Sequence, residues 1–345
     1  MSIFSTIKEA LEKQLPFVAY KKPDSPHLKG WFQQNDKLIT SENFNESGFI
    51  FAPFDSNEDA ILIPEEQSAY FEEQVSTYNI DLESKIQASE TSSKENHIQL
   101  VEKGIAAIKN NQFKKVVLSR KEEIKQTNFD IIETFQKLLN NYPTAFVYVW
   151  FHPKVGMWLG ATPETLVSIQ QKSFTTMALA GTQVYDESID VTWQPKEIEE
   201  QQFVTDYITD RLSEICTTIS TSKTETIKAG NLLHLRTIIN GKLKADNTSL
   251  IKTLHPTPAV CGLPLEASKK FILHNENYHR SFYTGFLGEL NLNLKESNLF
   301  VNLRCMEVRN ESVCIYVGGG ITKDSDSLKE WQETVAKTST MKKVL

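Results

Sequence analysis

The stretch TAFVYVWFHPKVGMWLGATPETLVSIQQKSFTTMALAG, residues 144–181, decides the fold. It holds four apolar runs rich in aromatic and β-branched residues, TAFVYVWFHP, VGMWLGAT, ETLVSIQ and SFTTMALAG, separated only by short polar turns. Such runs read as strands, and the turns leave no room for the crossover helix that parallel neighbours need. The stretch is therefore an antiparallel meander, not a βαβ series.

The same reading extends outward. The strands KKVVLSRKEEI, TETIKAG, LLHLRTIINGKL, SFYTGFLGELNLN, LFVNLRCMEVRN and SVCIYVGGG are interrupted by a few helices. Ile98, Val101, Ile105 and Ile108 share one face of a helix near residues 95–112, and DIIETFQKLLNN forms another. A long helix starts at Pro195 and is expected to run through CTTI, with Ile198, Val204, Ile208, Leu212 and Ile215 as its apolar stripe. Further helical pieces fall at 264–275 and 325–345. Before these, residues 1–83 mix a short helix with strand-like pieces such as GFIFAP and AILIP, and the polar stretch at 84–96 marks a boundary. The pattern predicts an α+β fold with large antiparallel sheets.

The chain has 345 residues, 40% hydrophobic and 23% charged, with a net charge of −7. It shows no clustered basic excess, so a nucleic-acid partner is not expected. An acidic protein that binds an anion must build positive potential locally, inside a pocket. The four cysteines lie on separate segments without a C-x-x-C pair, which predicts reduced thiols and a cytoplasmic setting. No signal-peptide pattern and no continuous apolar run of about 18 residues is present, so no membrane association is expected.

Several positions could carry chemistry. The triple glycine of YVGGGITKDSDSLKEWQETVAK, residues 316–337, fails the spacing of a phosphate loop, since Lys323 stands where Gly or Ala is required and no Gly-Lys-Ser/Thr follows. Glu197 and Glu200 lie three apart on the long helix and project together, as ligands of a hard cation or as a solvated helix start. Strand alternation puts Lys115 with Val117 and Ser119, so it is either a snorkelling lysine or, if turned inward, a usable base. Glu164, after Pro163, is an exposed turn carboxylate or a buried acid. Arg304, placed in mid-strand among apolar neighbours, needs an anion: a bound carboxylate, or a structural partner such as Glu307 or Glu289. The histidines and cysteines form no zinc pattern.

Taken in order, KKVVLSR, LGATPETL, ALAGT, KEIEEQ, HPTPAVCGLP, YTGFLGE, VNLRCMEV, VGGGI and WQETVAK resemble the chorismate-utilising enzymes, specifically the isochorismate synthases of menaquinone and siderophore pathways. The resemblance implies a fold like that of anthranilate synthase component I, with large antiparallel sheets packed face to face and helices outside. It implies a variable N-terminal part over 1–95 and a chorismate-binding catalytic domain over 96–345. By motif, Lys115 matches the family's general base and Glu164 its general acid. Glu200 and Glu333 match the Mg²⁺ ligands, with Glu197 close behind them. Arg304, the backbone of Gly318, Tyr283 and Lys337 match the grip on the substrate's side-chain carboxylate. Thr182 and His234 match positions that line the ring pocket, and Ala259, with Val260, follows the synthase pattern of the HPTPAVCGLP loop. Gln201 stands where many relatives have His, and VGGG replaces the commoner AGAG, so fine positioning is expected to differ.

The activity so implied is Mg²⁺-dependent conversion of chorismate to isochorismate by an isomerase acting as a monomer without a glutaminase subunit. The alternatives are a salicylate synthase of the same family and a non-catalytic chorismate-binding protein. Anthranilate-forming relatives usually lack the lysine, and aminodeoxychorismate-forming ones usually carry a lysine where this chain has Ala180.

Overall fold

The computed structural model describes residues 2–75, 78, 91–127, 129–186, 188–229, 232–244 and 246–345. Among the described residues the strands build one nine-stranded and one ten-stranded sheet, with antiparallel neighbours throughout the opening stretch. Phe146–His152 pairs with Gly156–Thr162 in the nine-stranded sheet, while Thr165–Gln170 pairs with Ser173–Val184 in the ten-stranded sheet. The meander thus changes sheets at Pro163 and Glu164. The return exchange lies between Glu296–Val301, in the ten-stranded sheet, and Cys305–Val308, in the nine-stranded one. Hydrogen bonds stitch the two exchanges together: the Val301 N–H donates to Glu164 O at 2.9 Å and the Ala161 N–H to Arg304 O at 3.0 Å.

The inner faces meet in an aromatic layer that includes Phe51, Phe146, Trp150, Trp158, Phe282 and Phe300. Phe51 stacks on Phe282 and Phe146 on Phe300, each with ring centroids 4.2 Å apart. Such pairs contribute about 0.5–1.5 kcal/mol beyond their buried area. Helices cover the outer faces. Ile3, Phe135, Leu138 and Met341 pack on the nine-stranded sheet, and Val204, Ile208 and Leu212 on the other. The N-terminal strands belong to both sheets: Phe17–Lys21 pairs with Phe146–His152, and Gly48–Ala52 pairs with Phe286–Asn291. Of the polar stretch at 84–96, residues 84–90 lie outside the described residues and the remainder opens the helix Thr91–Lys109. All four cysteines are buried and free.

Three expectations need correction. The long helix ends at Ser213, and Cys216–Thr221 is a strand paired with Leu232–Leu243, because the β-branched run TTIST fills a sheet edge better than a helix turn. Ile198 is half exposed and Ile215 lies beyond the helix, so the buried stripe is Val204, Ile208 and Leu212. Arg304 is not in mid-strand. It sits at the sheet exchange with φ of 47°, a left-handed conformation that bulky residues adopt only under constraint.

Candidate active site

A cavity of about 240 Å³ opens beside the two exchanges. Its lining brings together Lys115, Glu164, His234, Ala259, Tyr283, Arg304, Gly318 and Lys337, with the carboxylates Glu197, Glu200 and Glu333. Thr182 lies in the strand Ser173–Val184, and its side chain is outside the described residues.

Lys115 opens the strand Lys115–Lys125 and is buried, with Nζ 2.5 Å from Glu200 Oε1. The alternation read from the sequence holds: Val116 and Leu118 pack under the helices on the other face. Beneath Val117 and Ser119 lies a fully buried ion pair. Arg280 binds both Glu276 oxygens, and Glu276 Oε1 accepts from Ser119 N–H at 2.7 Å and Oγ at 2.8 Å. Arg280 Nη2 also donates to Val117 O at 2.7 Å, which fixes the strand carrying Lys115.

Glu164 is 8% exposed. Burial raises its carboxyl to about 7 against the opposing pull of Lys115, Arg304 and Lys337, so it is a carboxyl that can hold a proton near neutrality. The structural partners considered for Arg304 are engaged elsewhere. Glu307 pairs with Arg309 at 2.8 Å, and Glu289 with Lys22 and Lys29 at 2.9 and 3.2 Å. Among the described residues no carboxylate forms an ion pair with Arg304, whose Nη1 reaches only Lys337 O, at 3.4 Å. That leaves a guanidinium facing the cavity with charge to spare. His234 Nδ1 lies 3.0 Å from Gly181 O, so Nδ1 carries the hydrogen and Nε2 is the acceptor. Burial lowers its pKa to about 4 and keeps the ring neutral.

The three glycines are explained by what a side chain would strike. A Cβ at Gly318 would lie 2.8 Å from Leu118 O and 3.1 Å from the Tyr283 hydroxyl. At Gly319 it would lie 3.2 Å from Glu330 Oε2, and at Gly320 3.0 Å from Lys115 Cε. The bare strand leaves space for these groups. Gly318→Ala is accordingly expected to destabilise the fold by about 1–3 kcal/mol, read from its denaturation midpoint in urea. An unchanged midpoint would refute the close-packing argument.

The helix Ser327–Lys342 supplies a pair of carboxylates that the sequence reading only half found. Glu333 Oε1 lies 2.5 Å from Lys337 Nζ, which also donates to Gly318 O at 3.0 Å. Burial acts to raise Glu333, but Lys337 and Arg304 outweigh it and hold the carboxyl below the ordinary range. Glu330, one turn earlier and also in the cavity, was not singled out, although its i, i+3 spacing repeats that of Glu197 and Glu200. Burial raises its carboxyl, and the neighbouring Glu333 raises it further.

A divalent cation fits this donor set. Four carboxylates from two helices face one cavity, and Glu197 Oε2 is buried without a hydrogen-bond partner among the described residues. No three of them form a closed ligand cage there. The arrangement suits Mg²⁺, which takes one or two carboxylates and completes its shell with water and substrate oxygens.

Comparison with known proteins gives a consistent picture. The family model described as chorismate binding enzyme matches residues 50–345. The isochorismate synthase DhbC of Bacillus subtilis is 30% identical over 263 residues, 70% of this chain and 65% of that protein. The chain spans 42–65% of the length of the first curated relatives it matches. A crystal structure of a putative 2,3-dihydroxybenzoate-specific isochorismate synthase from Bacillus anthracis superposes with a TM-score of 0.81 at 23% identity, covering 98% of each chain. Anthranilate synthase component I from Streptococcus pneumoniae shares the fold with a TM-score of 0.74 at 18% identity, covering 95% of this chain and 92% of that one.

Proposed function

The chain belongs to the chorismate binding enzymes, and from that premise we propose that it is an isochorismate synthase, an isomerase that moves the hydroxyl of chorismate from C4 to C2. One observation carries the reading: a single cavity joins a buried carboxyl, a buried lysine, a guanidinium that pairs with no carboxylate among the described residues, and acids from two helices. Water is a poor nucleophile and hydroxide a poor leaving group, so the exchange needs a base and an acid at once. Lys115 takes the proton of the water that adds at C2, and Glu164 gives its proton to the hydroxyl leaving C4. Arg304 binds the side-chain carboxylate, helped by Tyr283, Lys337 and the Gly318 backbone. His234, Ala259 and Thr182 shape the space for the ring. Glu200 and Glu333 would hold Mg²⁺, with Glu197 and Glu330 behind them. Bound there, the ion would neutralise the acids and attract the substrate's ring carboxylate.

The test is to incubate the pure protein with chorismate and Mg²⁺ and separate the products by chromatography. Isochorismate is expected. Salicylate with pyruvate would replace this reading by the lyase of the same family, and unaltered chorismate by a pure binding protein. The protein is further proposed to act in the cytoplasm as a monomer without a glutaminase, which light scattering and indifference to ammonium would support. Its product would feed menaquinone or siderophore assembly, distinguished by the auxotrophy that follows gene disruption.

Arg304→Gln is expected to lower kcat/KM about tenfold to a hundredfold, mainly through KM, since a hydrogen bond to a charged group is worth ~1.5–3 kcal/mol. A KM within twofold of the parent would remove Arg304 from the substrate grip.

A further inference from the structure

A second cavity of about 360 Å³ lies apart from this site, bounded by the helix Thr91–Lys109, the middle of the strand Lys115–Lys125 and the turn after the helix Leu265–Asn275. Among the described residues its lining carries three basic side chains, Lys103, Arg120 and Lys121, and no carboxylate. In a chain with net charge −7 that is a local reversal of sign.

Arg120 is 5% exposed and firmly held. Its Nε donates to Thr334 Oγ1 at 2.8 Å, its Nη1 to Glu122 Oε2 at 3.1 Å, and its guanidinium carbon stands 4.3 Å from the centre of the Trp331 ring. Glu122 is shared, because its other oxygen takes Lys342 Nζ at 2.5 Å. Two cations therefore lean on one carboxylate, and the cluster keeps a positive charge. Arg120 Nη2 is left buried with no hydrogen-bond partner among the described residues. The same is true of both ring nitrogens of His97, which is 3% exposed and lines the same cavity. Burial, with Arg120 nearby, lowers the His97 pKa to about 4, so its ring is neutral at pH 7 and one nitrogen has a hydrogen to donate. Buried donors of this kind normally have partners.

We propose that this cavity is a second ligand site that takes a phosphate-class oxyanion, seated by Arg120 and His97 and closed at the rim by Lys103 and Lys121. The geometry favours a tetrahedral anion over a planar carboxylate. Nε and Nη1 of Arg120 already donate to Thr334 and Glu122, so Nη2 offers a single prong and not the two-pronged grip that a free guanidinium gives to a carboxylate or a phosphate. Single donors from several residues suit an anion with acceptors in all directions.

The test is calorimetric titration of inorganic phosphate at ionic strength held constant with chloride. The parent protein should bind phosphate, and Lys103→Gln with Lys121→Gln should weaken binding at least tenfold, on side chains that are not buried and so leave the fold intact. His97→Phe should weaken it as well. Arg304→Gln, which alters only the first cavity, should leave it unchanged. No phosphate binding by the parent, equal binding by the double variant, or loss in Arg304→Gln would overturn the proposal. Acetate binding as tightly as phosphate would overturn the assignment to the phosphate class.

Discussion

Lys115→Ala is expected to lower kcat about 10²–10⁴-fold, the range for losing a positioned base, with KM for chorismate changed far less. The alanine variant alone cannot separate a base from an ion-pair partner, because Lys115 Nζ also lies 2.5 Å from Glu200 Oε1. Lys115→Arg makes the separation. Arginine keeps the charge and can still pair with Glu200, but it does not give up its proton and so cannot act as a base. Both variants should therefore fall to a similar residual rate, while the arginine variant keeps the parent's stability more nearly. If Lys115→Arg retains more than a tenth of the parent kcat, the side chain serves Glu200 and the base lies elsewhere.

The fold was legible because the decisive signals were local. Residues 144–181 alternate apolar runs with turns too short for a crossover, so TAFVYVWFHP and VGMWLGAT pair as antiparallel neighbours; the structure sets Trp150 opposite Trp158 across them. What could not be read was where the chain leaves one sheet for the other. LFVNLRCMEV looks like one strand, yet Arg304 turns left-handed in its middle, a conformation that tertiary contacts impose and that no propensity favours. The long helix was extended too far for a related reason. CTTI continues its apolar period, but the open edge of the strand Leu232–Leu243 claims those residues first. Among the candidate residues, motif order marked Lys115, Glu164 and Glu333, which the structure places around one cavity. Spacing alone could have added Glu330, since a carboxylate one turn from Glu333 must share its face. His97 and Arg120 had no such signal, because their orphaned nitrogens become visible only once the helix Thr91–Lys109 is laid across the strand.

Glu164→Gln is expected to lower kcat by a factor similar to the loss of Lys115, about 10²–10⁴, and it also removes the limb on which the rate falls with rising pH. A general acid works in its protonated form. With the carboxyl raised to about 7 by burial, the parent kcat/KM should fall as pH rises through that value. The variant has no such group to titrate, so its residual rate should lack that limb. Stability carries the same sign in a separate measurement. A carboxyl whose folded pKa lies above its unfolded value binds more protons in the folded state, so stability is lost as pH climbs between the two. For a rise from 4.5 to about 7 the loss is about 3 kcal/mol, complete above neutrality and absent below pH 4. Glutamine stays neutral throughout. The stability gap between Glu164→Gln and the parent should therefore shift in favour of the variant by about 3 kcal/mol between pH 4 and pH 9, read from urea unfolding at each pH. A gap that does not move with pH would mean that the carboxyl ionises as freely in the cavity as in water, and Glu164 could not then hold the proton that the departing hydroxyl requires.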